Sequence, residues 1–227
     1  MLATGRQKLE RMRDGRAVYI GAERVDDVTA HPGFHQGART IADLYDLKAD
    51  PAKSDLFAYE ENGERYGLQW LRCRSRDDLV RRMRALKASA DATYGFIGRS
   101  PEQVAGLITG LAMNPSVLDR LHAGFGDNLV RYYEHARMHY LYLCFAVTPP
   151  TGMRAPELFP GQQRDDPNLQ VVAEDSASVT VSGMKMLATS AVYADEILIG
   201  NLTPIADQFR SEAITAALQR AGERRMA

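Results

Sequence analysis

Apolar residues change their spacing along this 227-residue chain. Between Ser75 and Val147 they recur every three or four positions, as on one face of a helix, whereas beyond Leu169 they alternate with polar residues. The spacing predicts helices over 6–15, 35–48, 75–98, 100–113, 116–125 and 127–147. The last of these is predicted to bury a stripe of Leu129, Tyr133, Ala136, Tyr140, Leu143 and Val147.

Short strands are predicted on either side of turns that contain glycine. The segment "RAVYIGAERVDDV" predicts two strands about Gly21, and "DLFAYEENGERYGLQWLRC" predicts a hairpin about Glu61-Asn62-Gly63. After a stretch rich in proline and glycine, "TPPTGMRAPELFPGQQRDDPN", alternation predicts β-structure with a turn at Ser182-Gly183. Helices first and strands afterwards predict an α+β fold, with a mainly helical domain over 1–148 and a partial β-domain over 149–227.

Composition excludes several classes of protein. Lysines and arginines are dispersed and the formal net charge is −1, so no basic surface for nucleic acid is expected. The longest apolar run, near "YLYLCFAV", is far too short to span a membrane, and the first residues lack the apolar core of a signal peptide. Only Cys73 and Cys144 occur, which argues against a disulfide framework and against a cysteine-rich metal site. A soluble cytoplasmic protein is predicted.

The start of the helix at 100–113 is the clearest candidate for a binding site. Ser100 and Gln103 have the spacing of a capping box, with Pro101 at the first helical position. Arg99 directly precedes this helix, so its guanidinium and the free backbone N–H groups could together bind a carboxylate or a phenolate. The alternative is an ordinary ion pair between Arg99 and an acidic side chain from elsewhere in the fold.

Two further groups of residues leave alternatives open. His135 and His139 are four residues apart on one helical face and could bind a metal, but no third ligand is evident. Solvated or hydrogen-bonded histidines explain the pair as well. Cys144 could be a reactive thiol, although its position at the apolar end of the predicted long helix favours a buried and inert one.

Four segments, in order, resemble the 4-hydroxyphenylacetate 3-hydroxylase family, the oxygenase components of two-component flavin monooxygenases. They are "LERMRDGRAVYIGAERVDDVTAHPGF", "ATYGFIGRSPEQVAG", "LCFAVTPPTGMR" and "VTVSGMKMLATSAVYADEILIG". The resemblance implies an acyl-CoA-dehydrogenase-like fold with N-terminal helices, a middle β-domain and a C-terminal helical bundle, in a homo-oligomer. It also implies hydroxylation of an aromatic ring with molecular oxygen and with reduced FAD that a separate flavin reductase delivers.

The resemblance further assigns roles to residues of this chain. Arg99 matches the arginine that faces the substrate, and Thr189 matches a threonine expected to hydrogen-bond the flavin ring. Lys185 occupies the lysine of the G-x-K turn, where a structural role is expected. The residues implied to line the flavin are Cys144, Phe145, Ala146, Pro150, Thr151, Met153 and Arg154.

The chain departs from the family pattern at two positions of the implied catalytic group Arg99, Gln103 and Cys144. Gln103 stands where phenol-hydroxylating members have tyrosine, and Cys144 stands where they have histidine. A thiol replaces a good general base, and a glutamine amide does not titrate at all. The substrate is therefore predicted to be an aromatic or heteroaromatic compound other than a simple 4-hydroxyphenyl acid.

Family oxygenases are about twice as long as this chain, and the C-terminal bundle is expected to be absent from it. The resemblance predicts that "ADQFRSEAITAAL" continues as strands of the β-domain, whereas the local composition of "SEAITAALQRAGERRMA" favours an exposed helix. This conflict leaves a second interpretation open, in which the chain is a truncated, non-catalytic remnant or a partner-binding module of the family.

Overall fold

The structure, a computed structural model, describes residues 2–97, 100–150, 168–175 and 178–201, together with the backbone of 216–219. The helices are α1 Gly5–Arg11, α2 His35–Ala49, α3 Ser54–Phe57, α4 Arg76–Ala92, α5 Pro101–Ala112, α6 Ser116–Asp119 and α7 Phe125–Met138, with 3-10 turns at Pro51–Lys53 and Leu68–Trp70. The strands are β1 Val18–Ile20, β2 Glu23–Val25, β3 Ala58–Glu61, β4 Glu64–Gly67, β5 Leu143–Ala146, β6 Gln170–Glu174, β7 Val179–Ser182, β8 Glu196–Ile199 and β9 Ala216–Gln219.

The strands form three two-stranded antiparallel sheets and one sheet of three strands. The pairs are β1–β2, β3–β4 and β6–β7. In the larger sheet β8 is central, parallel to β5 on one side and antiparallel to β9 on the other. Because β5 precedes residue 148 and β8 follows it, the two predicted domains share this sheet, and the partition into 1–148 and 149–227 stays a prediction.

Several predicted elements are confirmed together with the local chemistry that specifies them. Helix α4 begins after a capping box in which Ser75 and Asp78 exchange hydrogen bonds, and two acidic residues stand in its first turn. The β3–β4 hairpin turns at Asn62 and Gly63, whose φ angles are 54° and 78°. Positive φ at both positions is the geometry of a type I′ turn, which Asn-Gly adopts readily.

The predicted helices at 116–125 and 127–147 are both too long. Helix α6 ends at Asp119, and α7 ends at Met138. Tyr140 then takes a left-handed conformation, with φ of 51°, and the chain continues into strand β5. A short apolar run is compatible with either a helix or a buried strand, and here pairing with β8 decides for the strand. Cys144 therefore lies in a buried strand and not at a helix end.

The tail shows the same preference for pairing over local propensity. Residues Ala216–Gln219 form strand β9 against β8, with Glu196 opposite Gln219 and Ile199 opposite Ala216. The helix favoured by local composition is wrong at these four residues, and the strand implied by the family resemblance is present. A short isolated helix is marginally stable, whereas β9 completes a ladder with β8.

Large aromatic side chains hold the helices to one another and to the start of β5. The rings of Tyr45 and Tyr140 pack edge to face with centroids 5.2 Å apart, and Trp70 contacts Tyr133 at 6.1 Å. All four side chains are almost completely buried. This core fixes α5 against α7 and β5, and among the described residues no helix is long and apolar enough to cross a membrane.

Candidate functional site

A cavity of about 580 Å³ lies between the first turn of α5, strand β5 and the loop that joins β7 to β8. Its polar lining residues include Gln103, Thr148 and Thr189, and most of the others are apolar. The complete lining is Gln103, Val104, Leu143, Cys144, Phe145, Val147, Thr148, Leu187 and Thr189. Apolar walls with a few convergent polar groups are typical of a site for a small organic ligand.

The α5 wall begins differently from the sequence prediction. Ser100 is the N-cap residue and Pro101 occupies the first helical position, as expected, but the Ser100 side chain makes no capping hydrogen bond. The predicted capping box is therefore wrong, because the Ser100 side chain leaves the backbone N–H groups of the first turn uncapped. Gln103 is exposed and its side-chain amide forms no hydrogen bond within the described residues, which leaves it available to a ligand.

Glu102 anchors the first turn of α5 to two other helices. Its Oε1 accepts hydrogen bonds from Lys48 Nζ of α2 and, at 2.9 Å, from Ser89 Oγ of α4. Burial opposes ionisation of this carboxyl, but attraction and hydrogen bonding by Lys48 outweigh it and hold the pKa of Glu102 below its ordinary value. Helices α2, α4 and α5 thus meet at the Glu102 carboxylate, and the next residue of the chain, Gln103, lines the cavity.

The loop wall contains a strained backbone. Leu187 and Ser190, on either side of Thr189, have φ angles of 59° and 66°, which non-glycine residues rarely adopt. The Met186 amide donates to the Thr148 carbonyl at 2.8 Å and so fixes this loop to the end of β5. Strained residues often lie at binding sites, and here they hold an exposed Leu187 and an exposed Thr189 at the cavity.

The β5 wall is paired with strand β8 and is largely shielded from solvent. Cys144 is 3% exposed and its backbone lies opposite Ile197 of β8. In the described part of the chain neither Cys73 nor Cys144 forms a disulfide. Because thiol reactivity requires access, burial favours the inert alternative for Cys144, which contributes its side chain to the wall of the cavity.

Comparison with known proteins shows the family of this chain. Residues 4–221 match the protein family described as "4-hydroxyphenylacetate 3-hydroxylase N terminal". The chain belongs to this family. That membership confirms the resemblance inferred from the four sequence segments.

Individual relatives show how much of the family protein is present. The chain is 35% identical over 201 residues to the 4-nitrophenol 2-monooxygenase oxygenase component of a Rhodococcus species, with 87% of this chain and 37% of that protein covered. It is 33% identical over 202 residues to the 4-hydroxyphenylacetate 3-monooxygenase oxygenase component of Thermus thermophilus, covering 88% of this chain and 40% of that one. The chain therefore spans about two fifths of the length of these relatives.

A solved structure of a family member also matches this chain over less than half of its own length. The oxygenase component of 4-hydroxyphenylacetate 3-monooxygenase, crystallised with FAD, is similar with a TM-score of 0.86 at 32% identity. The match covers 96% of this chain and 45% of that structure. The chain has the fold of the corresponding part of that oxygenase, which confirms the mixed helical and stranded class, whereas the barrel and the arrangement of domains stay predictions.

The cavity of about 580 Å³ brings together only part of the predicted site. Gln103, Cys144, Phe145 and Thr189 line one space, although they come from three separate segments of the chain. Ala146 and Pro150 are buried near the end of β5 and do not line it. The predicted residues Arg99, Thr151, Met153 and Arg154 lie outside the described residues.

The two histidines are explained by local contacts. Their rings lie 4.4 Å apart, and His139 Nδ1 is 2.8 Å from the His135 carbonyl oxygen. His135 Nε2 is 3.8 Å from Oε1 of Glu196, and Oε2 of the same carboxylate accepts a hydrogen bond from the Tyr132 hydroxyl at 2.6 Å. No group of three or more His, Cys, Asp or Glu suited to a metal ion occurs among the residues that the structure describes.

Sequence reasoning missed the network that positions α5. Lys48 follows Ile41 and Tyr45 on the buried face of α2, so a charge on an otherwise apolar stripe was the available signal. Nothing in the sequence assigned Glu102 as its partner, because the two residues are 54 positions apart. The contribution of Leu187 was missed as well, since its backbone conformation is unusual for leucine.

Proposed function

We propose that this chain forms part of the oxygenase component of a two-component, FAD-dependent aromatic monooxygenase. The observation that carries the proposal is the cavity of about 580 Å³ in which Gln103, Cys144 and Thr189 meet from three segments of the chain. Its relatives are named as oxygenase components, and one of them was crystallised with FAD. A separate flavin reductase would supply the reduced cofactor, and molecular oxygen would be the second substrate.

The residues present fit the flavin ring system. The cavity is within the size range of small-molecule sites, and its walls from Val104, Leu143 and Phe145 would exclude water from a bound planar ring. The Thr189 hydroxyl makes no hydrogen bond among the described residues, so it can donate to or accept from a polar edge of the ring. When bound in its reduced form, FAD supplies the chemistry that activates oxygen.

We assign the aromatic substrate to the Gln103 side of this cavity. The Gln103 amide can donate and accept hydrogen bonds without changing charge, and the buried Cys144 thiol is a poor proton acceptor at neutral pH. These residues can orient a ring but not deprotonate it, which favours an aromatic or heteroaromatic compound other than a simple 4-hydroxyphenyl acid. Arg99, which lies outside the described residues, stays the proposed partner of an anionic substituent.

Predictions about domains and assembly extend this proposal. We infer a mainly helical domain over 1–148 and a partial β-domain over 149–227, which together form one side of the flavin site. The relatives are more than twice as long, so closure of the site and a homo-oligomer would require the part of the family fold that this chain does not span. If that part cannot be supplied, the chain is a non-catalytic remnant or a partner-binding module.

Affinity for reduced FAD separates these alternatives. We expect anaerobic titration of the 227-residue chain, alone or mixed with a polypeptide that resembles the C-terminal half of an oxygenase, to show saturable binding. Coupled assays with a flavin reductase and a panel containing 4-hydroxyphenylacetate, 4-nitrophenol and heteroaromatic acids would then identify the substrate. Absence of binding in both states contradicts the monooxygenase proposal for this chain, and rapid coupled hydroxylation of 4-hydroxyphenylacetate contradicts the assigned substrate class.

A further inference from the structure

A second cavity, of about 290 Å³, lies among helices α2, α3, α4 and α5. It is bounded by apolar side chains that include Phe57, Leu68 and Tyr140. Gln103 lines both this cavity and the larger one. At roughly 30 Å³ for each water-sized group, the space accepts a molecule of about ten non-hydrogen atoms, which is far smaller than a flavin nucleotide.

The charges in the wall of this cavity do not cancel. Lys48 and Glu102 pair with each other, whereas Arg82 of α4 forms no hydrogen bond or ion pair among the described residues. The wall therefore carries one excess positive charge on a half-buried guanidinium. A guanidinium in this position recognises a carboxylate, with which it can form two charge-assisted hydrogen bonds.

A glycine on the neighbouring helix makes room for this arginine. A Cβ atom at Gly106 of α5 would collide with Nη2 of Arg82. The close approach of the guanidinium to the α5 backbone places it beside the cavity instead of in bulk solvent. Packing beside Gly106 restricts the Arg82 side chain before any ligand binds, which lowers the entropic cost of binding.

Gln69 provides a second, independent indication of a ligand. The residue is 4% exposed and lines the cavity, yet its Nε2 has no hydrogen-bond partner among the described residues. Within the same part of the chain the Oε2 atom of Glu102 is likewise buried without a partner. Buried polar groups are normally hydrogen-bonded, so the Gln69 donor is free to bond to an acceptor on a molecule bound in the cavity.

The geometry points to a binding site for a small monocarboxylate with an apolar body, distinct from the larger cavity. Its carboxylate accepts hydrogen bonds from Arg82 and Gln69, and its body contacts Phe57, Leu68 and Tyr140. A hydroxyl on the ligand or a water molecule bonds to Glu102 Oε2. The inference does not depend on the flavin proposal, although Gln103 would let occupancy of one cavity influence the other.

Benzoate is a suitable probe, and Trp70 is a suitable reporter. Trp70 is the only tryptophan of the chain, is fully buried and directly follows Gln69. We expect benzoate to change Trp70 fluorescence saturably in the absence of flavin, and calorimetry to give the same dissociation constant. Benzamide, which has the same shape without the charge, is expected to bind at least about tenfold more weakly.

Variants on one helix make the test specific. Arg82→Gln is expected to weaken benzoate binding at least about tenfold, whereas Arg84→Gln, at an exposed position of the same helix, should leave it unchanged. Thermal unfolding curves of both variants establish that they are folded. Thr189→Ala should not affect benzoate binding, which separates this site from the flavin cavity.

Three results would overturn the inference. They are the absence of saturable benzoate binding by the folded chain, equal affinity of Arg82→Gln and Arg84→Gln, and equal affinity for benzoate and benzamide. The first result means that the cavity holds water only. None of these outcomes bears on whether reduced FAD binds in the larger cavity.

Discussion

Among the described residues, two buried lysine–carboxylate pairs join a helix to another part of the fold, and they differ in how completely the carboxylate is bonded. Lys8 of α1 pairs with Asp195 just before β8, and Lys48 of α2 pairs with Glu102 of α5. Both lysine side chains are at most 2% exposed. The first pair lies in the packed junction between α1 and the three-stranded sheet, whereas the second borders a cavity.

The Asp195 carboxylate has partners at both oxygens. Oδ1 accepts from Lys8 Nζ at 2.7 Å, and Oδ2 accepts from the Tyr142 backbone amide at 2.7 Å. The Lys8 ammonium also lies within 6 Å of the ring centroids of Tyr45 and Tyr142. This environment is closed, and it lets one carboxylate hold α1 against the sheet.

The Glu102 carboxylate is bonded on one side only. Oε1 accepts from Lys48 and Ser89, while Oε2 is buried and has no hydrogen-bond partner in the part of the chain that the structure describes. An unsatisfied oxygen is costly in a purely structural ion pair, so it is expected where a ligand or water completes the site. The difference between the two pairs therefore separates a structural contact from one that also borders a binding space.

Removal of the Lys8–Asp195 pair should have the largest effect on stability. Asp195→Asn leaves the Lys8 ammonium buried without a countercharge and weakens the contact with the Tyr142 amide. We expect the free energy of unfolding to fall by about 3–5 kcal/mol, the usual cost of breaking a buried pair. Urea denaturation measures this loss.

The matched control is an exposed pair. Lys87 and Asp91 are 72% and 64% exposed, so Asp91→Asn should change the unfolding free energy by less than about 0.5 kcal/mol. Equal effects of Asp195→Asn and Asp91→Asn would show that the Lys8–Asp195 pair does not stabilise the junction.

Breaking the Lys48–Glu102 pair should lower the free energy of unfolding by less. Glu102→Gln retains an oxygen for Lys48 and Ser89 and removes a charge whose second oxygen is unsatisfied, so we expect a loss of about 2–3 kcal/mol. Because the pKa of Glu102 is lowered in the folded state, its ionised form contributes stability at neutral pH that is lost as pH falls below the ordinary glutamate range.

Denaturation at pH 7 and at acidic pH tests this difference. The acid-induced loss of stability should be smaller in Glu102→Gln than in the wild-type chain. Ser89→Ala, which deletes one hydrogen bond to this carboxylate and no charge, serves as the control: it should cost about 1 kcal/mol and reduce the acid-induced loss much less than Glu102→Gln does. A Glu102→Gln variant less stable than Asp195→Asn would reverse the proposed order of the two pairs.

The Lys8–Asp195 pair should also make the free energy of unfolding depend on pH in the alkaline range. Desolvation by burial lowers the pKa of Lys8 to about 8, although Asp195 opposes the shift. Above that pH the folded chain releases a proton that the unfolded chain still binds, so stability should rise with pH up to the ordinary lysine pKa. Between pH 7 and 9 the gain is about 1 kcal/mol.

Lys8→Met is the control for this pH dependence. The variant lacks the titrating group, and its unfolding free energy should rise less over the same interval than that of the wild-type chain. Identical pH profiles for the two proteins would show that another group is responsible for the change.

Sequence reasoning recovered the features that short-range chemistry specifies and missed those that depend on distant partners. The Ser75 cap and the Asn62-Gly63 turn were predictable because a few adjacent residues determine them. Strand β5 was not, since an apolar run becomes a strand only through pairing with β8, some fifty residues away. At the site, the family resemblance supplied Thr189 and Cys144, whereas the partners of Glu102 required the tertiary structure.

The smallest change in stability is expected for Thr189, which lines the proposed flavin cavity and belongs to neither ion pair. Thr189 is exposed and its hydroxyl has no partner among the described residues, so Thr189→Ala should alter the unfolding free energy by less than about 0.5 kcal/mol. If this hydroxyl bonds to the flavin, reduced FAD should bind about five- to tenfold more weakly, as for the loss of one hydrogen bond. Thr189→Ser keeps the hydroxyl and should retain most of the affinity. A variant that is as stable as the wild type but binds reduced FAD less tightly would show that Thr189 acts on the ligand and not on the fold, whereas unchanged affinity in Thr189→Ala would remove it from the flavin site.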